Sequence, residues 1–332
     1  MLICLYQVRH FGFLLGAALC LLLSGGWAMA QDAGASGKSE VAGFLRAKAA
    51  NASTGFSDKA TVRQSFYYTN GLICFAAGID GQTGTFILDT GAPQMLINNR
   101  GLHGARFSSN PMGAAAGGAV KLSDRFVRSF HLSGREYRKL WALGLDLRPL
   151  ENRLGDSIAG FVGYDLLRNS EVRIDYRRGQ FSLLRSRRAP LHDGRPADVV
   201  LPFKLAGHLP VVTIMVGEAK LSLAVDTGAS TNLLDHEHSH LTTPRARQIS
   251  VQGLDGQTQI LNQATLREES VELTDLSTNQ FTLLDLSSLQ ENGTEINVDG
   301  ILGSPFLENF TVGIDYRRNR LYLWRLPTQT SK

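Results

Sequence analysis

From Phe66 onward the chain consists of short apolar runs rich in Val, Ile, Leu, Phe and Thr, broken by glycine-containing turns such as Asp80-Gly81 and Val216-Gly217-Glu218. Runs this short, with such frequent punctuation, predict β-strands. The expected fold class is therefore all-β, with only short helices. Before Phe66 the texture differs. Gln31 to about Gln64 is rich in Ala, Ser, Gly and Lys, with one helix-like stretch near Ser39 to Ala49. It reads as a flexible linker or pro-segment.

The strand pattern occurs twice. Gly78 to Ala92 runs as a turn, an apolar strand and then Asp89-Thr90-Gly91-Ala92; Val216 to Ala229 runs the same way into Asp226-Thr227-Gly228-Ala229. Further on, Gly160-Phe161-Val162-Gly163 matches Gly300-Ile301-Leu302-Gly303, and Ile174-Asp175-Tyr176-Arg177-Arg178 matches Ile314-Asp315-Tyr316-Arg317-Arg318. Two matches in the same order at nearly the same offset predict an internal duplication. The expected boundaries are a first unit over 66–190 and a second over 191–328. A Pro-, Gly- and charge-rich connector, Arg187 to Pro196, joins them.

The N-terminus changes the expected compartment. Arg9 and His10 precede an uncharged stretch from Phe11 to Leu23, followed by Ser24-Gly25-Gly26 and Ala28-Met29-Ala30. Residues 1–30 thus read as a secretory signal peptide, with an uncleaved membrane anchor as the rival reading. Of three cysteines, Cys4 and Cys20 would leave with the signal, so the exported protein would keep Cys74 alone and form no internal disulfide. Cys74 lies in an apolar strand and reads as a core residue. Among 332 residues, 34 basic against 30 acidic side chains give a formal net charge of +4. With the two signs interspersed, nucleic acid is not an expected partner.

Each copy delivers one aspartate at the end of an apolar strand, followed by Thr and Gly. Gly91 and Gly228 let the backbone turn sharply and allow a partner to approach. Burying a lone carboxylate is costly. If the two copies pack about a pseudo-twofold axis, Asp89 and Asp226 face each other and relieve that cost by sharing a proton, which is the geometry of a catalytic dyad.

On these residues the sequence resembles the aspartic proteases of the pepsin/retropepsin superfamily, within it the bacterial retropepsin-like proteins that carry two lobes on one chain. The resemblance rests on the two Asp-Thr-Gly-Ala elements and the two apolar-apolar-Gly elements at Phe161-Val162-Gly163 and Ile301-Leu302-Gly303, and covers nearly all of residues 66–326. It implies a bilobal acid-protease fold in which the downstream elements cross beside the aspartate loops. It also implies that Thr90 and Thr227 hydrogen-bond to the opposite lobe. Its activity would be peptide-bond hydrolysis by a water held between the aspartates, with no metal and no cofactor. Both copies place Ala after the glycine, so neither carboxylate gains a local hydroxyl bond, and an optimum less acidic than that of pepsin is expected. The substrate would be a protein or peptide bound as an extended strand. Candidate flaps are Met112 to Gly118, with Gly117 and Gly118, and Gln252 to Gly256, with Gly253 and Gly256. The first lacks the tyrosine of pepsin's flap. The resemblance and the signal together imply a periplasmic or secreted monomer, touching membrane only if the N-terminal segment stays uncleaved. A catalytically inactive peptide-binding or interaction module is the alternative.

Three further clusters read as structural. Asp235-His236-Glu237-His238-Ser239-His240 has ligand-type side chains but no HExxH spacing, and is expected to be a solvated turn. The arginines at 177–178, 185–188 and 317–318 are expected at solvated strand ends, without aromatic platforms beside them. Asp175 and Asp315, each followed by Tyr-Arg-Arg, are expected to be ion-paired structural carboxylates.

Overall fold

The computed structural model describes residues 22–24, 61–100, 109–115, 118–253, 257–267, 280–286 and 297–326, and over them the apolar runs form strands. Burial along a strand reports its position. Leu72–Ile79 buries most of its side chains, as a strand covered on both faces does, whereas Val199–Ala206 alternates between buried and exposed and so meets solvent on one face. The described residues are mostly β, arranged in one sheet of fourteen strands and one of eight.

The duplication is visible in the strand order. In the smaller sheet Leu72–Ile79, Gln82–Leu88, Ile158–Val162, Leu96–Asn98, Arg135–Leu145, Gly118–Leu132 and Ser109–Ala115 lie side by side. In the larger sheet Leu209–Val216, Ala219–Val225, Gly300–Leu302, Leu233–Asp235, Gln280–Leu284, Thr258–Leu266 and Thr242–Gln252 follow in the corresponding order. The directions match too. Ile158–Val162 runs parallel to Gln82–Leu88 and antiparallel to Leu96–Asn98, and Gly300–Leu302 repeats both relations.

The two units meet in the remaining strands of the larger sheet, where Glu171–Asp175 pairs antiparallel with Phe310–Asp315. Glu171 faces Asp315, Asp175 faces Thr311, and the duplicated positions Arg173 and Gly313 stand opposite each other. That register puts the pseudo-twofold axis through the Arg173–Gly313 pair. Two long side chains have no room at such a point, and glycine supplies the space: a Cβ on Gly313 would lie 3.0 Å from Glu171 Oε1 and 3.0 Å from the Trp324 ring. The buried Glu171 carboxylate accepts a 2.8 Å hydrogen bond from Arg173 Nε, and the Arg173 guanidinium lies 4.6 Å from the centre of the Trp324 ring. One apolar cluster joins side chains of both units, from Ile73 and Phe75 to Val212 and Ile214, and each unit adds a smaller cluster of its own.

One segment differs from the sequence reading. Val62–Ser65, placed at the end of the flexible segment, is a strand paired with Gln180–Leu184, because Val62 and Gln64 alternate inward and are buried. Leu22–Ser24, inside the segment read as a signal, pairs antiparallel with Ser250–Gln252. The helix-like stretch Ser39 to Ala49 lies outside the described residues. The connector is mostly exposed, with Pro190 buried and Leu191 O accepting a 2.6 Å bond from Arg173 Nη1. No described helix is long and apolar enough to cross a membrane.

The crowding at the axis generates a prediction. Gly313→Val forces a branched side chain against Glu171 and Trp324, and overpacking of this kind costs about 1–3 kcal/mol. A lowered urea midpoint measures it; an unchanged midpoint would show that the seam is loosely packed.

Candidate active site

Each aspartate is fixed from behind by its own unit. The strand Gln82–Leu88 delivers Asp89, whose N–H donates to Val162 O at 3.1 Å; Ala219–Val225 delivers Asp226, whose N–H donates to Leu302 O at 3.1 Å. The loop then folds back on the carboxyl. Asp89 Oδ1 accepts from the N–H groups of Gly91 at 2.8 Å and Ala92 at 3.1 Å, and Asp226 Oδ1 accepts from Gly228 N–H at 2.8 Å. Tyr164 N–H closes the first loop on Ala92 O at 2.9 Å, and Ser304 N–H closes the second on Ala229 O at 2.8 Å. The glycines of the apolar-apolar-Gly elements are required by this crossing. A Cβ on Gly163 would stand 2.6 Å from Gln94 O, and one on Gly303 2.6 Å from Ala229 O.

Across the seam, the two threonines exchange bonds. Thr90 N–H donates to Thr227 Oγ1 and Thr227 N–H to Thr90 Oγ1, both at 3.0 Å. Each hydroxyl then donates onward into the opposite unit, Thr90 to Val225 O at 3.1 Å and Thr227 to Leu88 O at 2.9 Å. Both residues are fully buried, so the network is closed and shielded from competing water.

This interlock brings the carboxyls together. Asp89 and Asp226 have no exposed surface. Each lies over the other loop's glycine: a Cβ on Gly91 would sit 2.6 Å from Asp226 Cγ, and one on Gly228 2.5 Å from Asp89 Oδ1. Oδ2 of each aspartate is buried without a hydrogen-bond partner among the described residues. Burial raises the Asp89 pKa well above the ordinary carboxylate range, and burial together with the neighbouring Asp89 charge raises that of Asp226. Two such groups lose their protons in separate steps that belong to the pair.

The sequence reading missed the neighbours supplied by the opposite hairpins. The turn at Gly71, whose φ of +78° favours glycine, packs against Ser230, to which a Cβ on Gly71 would come within 2.7 Å. The corresponding turn of the second unit carries His208, whose Nε2–H donates to Gly91 O at 2.6 Å and whose burial favours the neutral imidazole. The signal was available, since His208 and Gly71 occupy duplicated positions beside the strands leading to the aspartates. Tyr316, beyond the repeated Ile-Asp, is also buried. Its hydroxyl has no partner among the described residues, and burial followed by the charge of Asp226 holds it in its neutral form.

The flap candidates fall at two hairpins. Ala115 pairs with Gly118 at one, and Gln252 pairs with Thr258 at the other, where Gly253 N–H donates to Gln257 O at 3.0 Å. Gly117 and Gly256 lie outside the described residues.

The remaining clusters resolve individually. Asp235 is not in a solvated turn. It is buried, caps the 3₁₀ helix His236–Leu241 by accepting from Glu237 N–H, and accepts from Leu286 N–H with its other oxygen. Asp235, His236 and Asp285 bring ligand-type atoms within 4.8 Å of one another, but both Asp235 oxygens already serve the backbone. Asp175 is ion-paired, to Arg178 at 3.1 Å. Asp315 is instead held by backbone N–H groups of Arg317 and Arg318 and by the Ser186 hydroxyl. Cys74 is buried and its thiol is pushed up to about 12, which suits a core side chain.

No protein-family model and no curated protein matches the chain by sequence.

Two predictions follow from the geometry. Thr90→Val removes a hydroxyl that both donates and accepts, leaving two buried backbone groups unpartnered at about 1–3 kcal/mol each, while Thr90→Ser keeps both bonds. Urea denaturation of the two variants measures the difference, and equal stability would refute the interlock. Because the folded aspartates keep a proton to higher pH than the unfolded ones, their contribution falls as pH rises above about 4 toward the folded values. Asp226→Asn should therefore lose less stability than the parent between pH 4 and pH 7 in chemical denaturation at each pH. A larger loss in the variant would reverse the sign of the coupling.

Proposed function

We propose that the chain is an aspartic endopeptidase of the two-lobed pepsin/retropepsin type, hydrolysing peptide bonds with water activated by Asp89 and Asp226. The observation that carries the reading is the meeting of two buried carboxyls at the seam between units, each with an oxygen that no described protein group satisfies. Such a pair holds one proton between pH values where one carboxyl has ionised and the other has not. The ionised member takes a proton from water while the protonated member hydrogen-bonds the scissile carbonyl, so attack and charge stabilisation come from one site. Gly91 and Gly228 lack the Cβ that would strike the carboxyl of the opposite unit. Thr90 and Thr227 are structural, holding the loops in register.

A substrate in extended form would add between the hairpins near Gly118 and Gly253, using main-chain hydrogen bonds. The enzyme reading also requires an opening movement, because both aspartates are closed to solvent in this conformation. That same closure supports a second reading, a peptide-binding or interaction module that performs no chemistry. The proposed setting is a periplasmic or secreted monomer, since a chain holding both aspartates has no catalytic need of a second copy.

The deciding assay incubates the purified protein with a denatured protein substrate over a wide pH range, with and without a statine-type inhibitor. Hydrolysis is expected, blocked by the inhibitor and reduced by about a hundredfold or more in Asp89→Asn and in Asp226→Asn. Equal inertness of the parent and both variants would support the silent module. With Ala92 and Ala229 offering no hydroxyl to the anions and burial raising both pKa values, the rate should peak at a less acidic pH than for pepsin. A maximum below about pH 3 would contradict that.

A further inference from the structure

The duplication supplies an internal comparison far from the aspartates. The turn after Glu171–Asp175 carries Arg177-Arg178, and the turn after Phe310–Asp315 carries Arg317-Arg318. In the first turn the Arg178 guanidinium is neutralised twice, by Asp175 at 3.1 Å and by Asp193 at 2.8 Å. In the second turn the corresponding acid is already occupied. Asp315 Oδ1 accepts from the N–H groups of Arg317 at 3.0 Å and Arg318 at 3.1 Å, and its Oδ2 accepts from the Ser186 hydroxyl at 2.7 Å. Among the described residues no carboxylate forms an ion pair with Arg317, Arg318 or Arg320.

These three arginines are exposed, yet they share one recess. With Arg188 from the connector they line one cavity of about 580 Å³, and no acidic side chain lines it. Its apolar wall includes Pro190, Val200 and Tyr322, with Val200 left 49% exposed. Arg320 Nη1 donates to Asn319 O at 3.0 Å, which ties one guanidinium to the turn. Four cations around one recess repel one another, and all four residues are exposed, on the turn and the connector that frame it.

We propose that this cavity binds a phosphate-bearing anion. Guanidinium forks match the oxygens of phosphate in bidentate geometry, and a phosphate ester or anhydride carries enough negative charge to answer several of them at once. The volume falls within the range of about 300–1,000 Å³ typical of small-molecule sites, more than a single phosphate fills. The ligand therefore has a second phosphate or an apolar body that rests against Val200. A soluble diphosphate and a phospholipid headgroup share this chemistry. The site is independent of the Asp89–Asp226 reading and stands whether or not the protein cuts peptides.

The test titrates the full chain with pyrophosphate by calorimetry at low salt and, separately, measures cosedimentation with phosphatidylglycerol vesicles against phosphatidylcholine vesicles. Saturable binding to pyrophosphate, or to the anionic vesicles alone, is expected. The Arg317→Gln/Arg320→Gln double variant should weaken it at least about tenfold, whereas Arg177→Gln, which removes the counterpart of Arg317 from the duplicated turn, should leave it unchanged. Arg188→Gln, on the connector, is a second variant that leaves the turn intact and should also weaken binding. Pyrophosphate binding identifies a soluble ligand, and binding only to anionic vesicles identifies a headgroup. Failure to bind either probe, or equal weakening by Arg177→Gln, would overturn the site and leave only general attraction to a basic surface.

Discussion

Two carboxyl groups stay side by side in a protein interior only if the surrounding backbone gives them no alternative. Here that constraint is the reciprocal bonding of Thr90 and Thr227, whose hydroxyls and N–H groups join the ends of two strands, Gln82–Leu88 and Ala219–Val225, across the seam. Each threonine fixes the loop whose aspartate precedes it and whose glycine follows it. Once the threonines are interlocked, Asp89 must lie over Gly228 and Asp226 over Gly91. The raised proton affinity of the pair is a consequence of that placement, because neither burial nor mutual repulsion can be relieved by rotation into solvent.

The rest of the fold serves the interlock. The parallel neighbours Ile158–Val162 and Gly300–Leu302 pin the aspartate N–H groups, and the glycines that end them let the return loop cross without a clash. The antiparallel pair Glu171–Asp175 and Phe310–Asp315 sets the relative rotation of the two units. Arg173 and Gly313 show how a duplicated protein accommodates its own axis. A symmetric pair of long side chains would collide, and divergence to one arginine and one glycine lets Glu171, Arg173 and Trp324 pack as a unit.

Much of this was legible in the sequence because a repeated motif carries its own register. The strand character, the pairing of Asp-Thr-Gly-Ala with a downstream apolar-apolar-Gly, and the burial of Cys74 all follow from local pattern. What was hidden depends on contacts between segments far apart in the chain. Val62–Ser65 looks like the tail of a polar linker until Gln180–Leu184 gives it a partner. Asp235 looks solvated among histidines, yet Leu286 N–H and the 3₁₀ helix it caps draw it inward. His208 stands at the duplicated counterpart of Gly71, but its partner, the carbonyl of Gly91, is supplied by the other unit. The arginines of the two turns look alike in sequence and differ in the structure because Asp175 and Asp193 both pair with Arg178, while Asp315 is taken up by backbone N–H groups and Ser186.

The central claim is that Asp89 and Asp226 behave as one titrating unit. Carbon-13 NMR of the side-chain carboxyls of labelled aspartate, followed through a pH titration of the intact protein, tests it directly. The account predicts two coupled steps for this pair, one displaced well above the ordinary carboxylate range, with both resonances responding to each step. Two independent ionisations near the value of an exposed aspartate would contradict it.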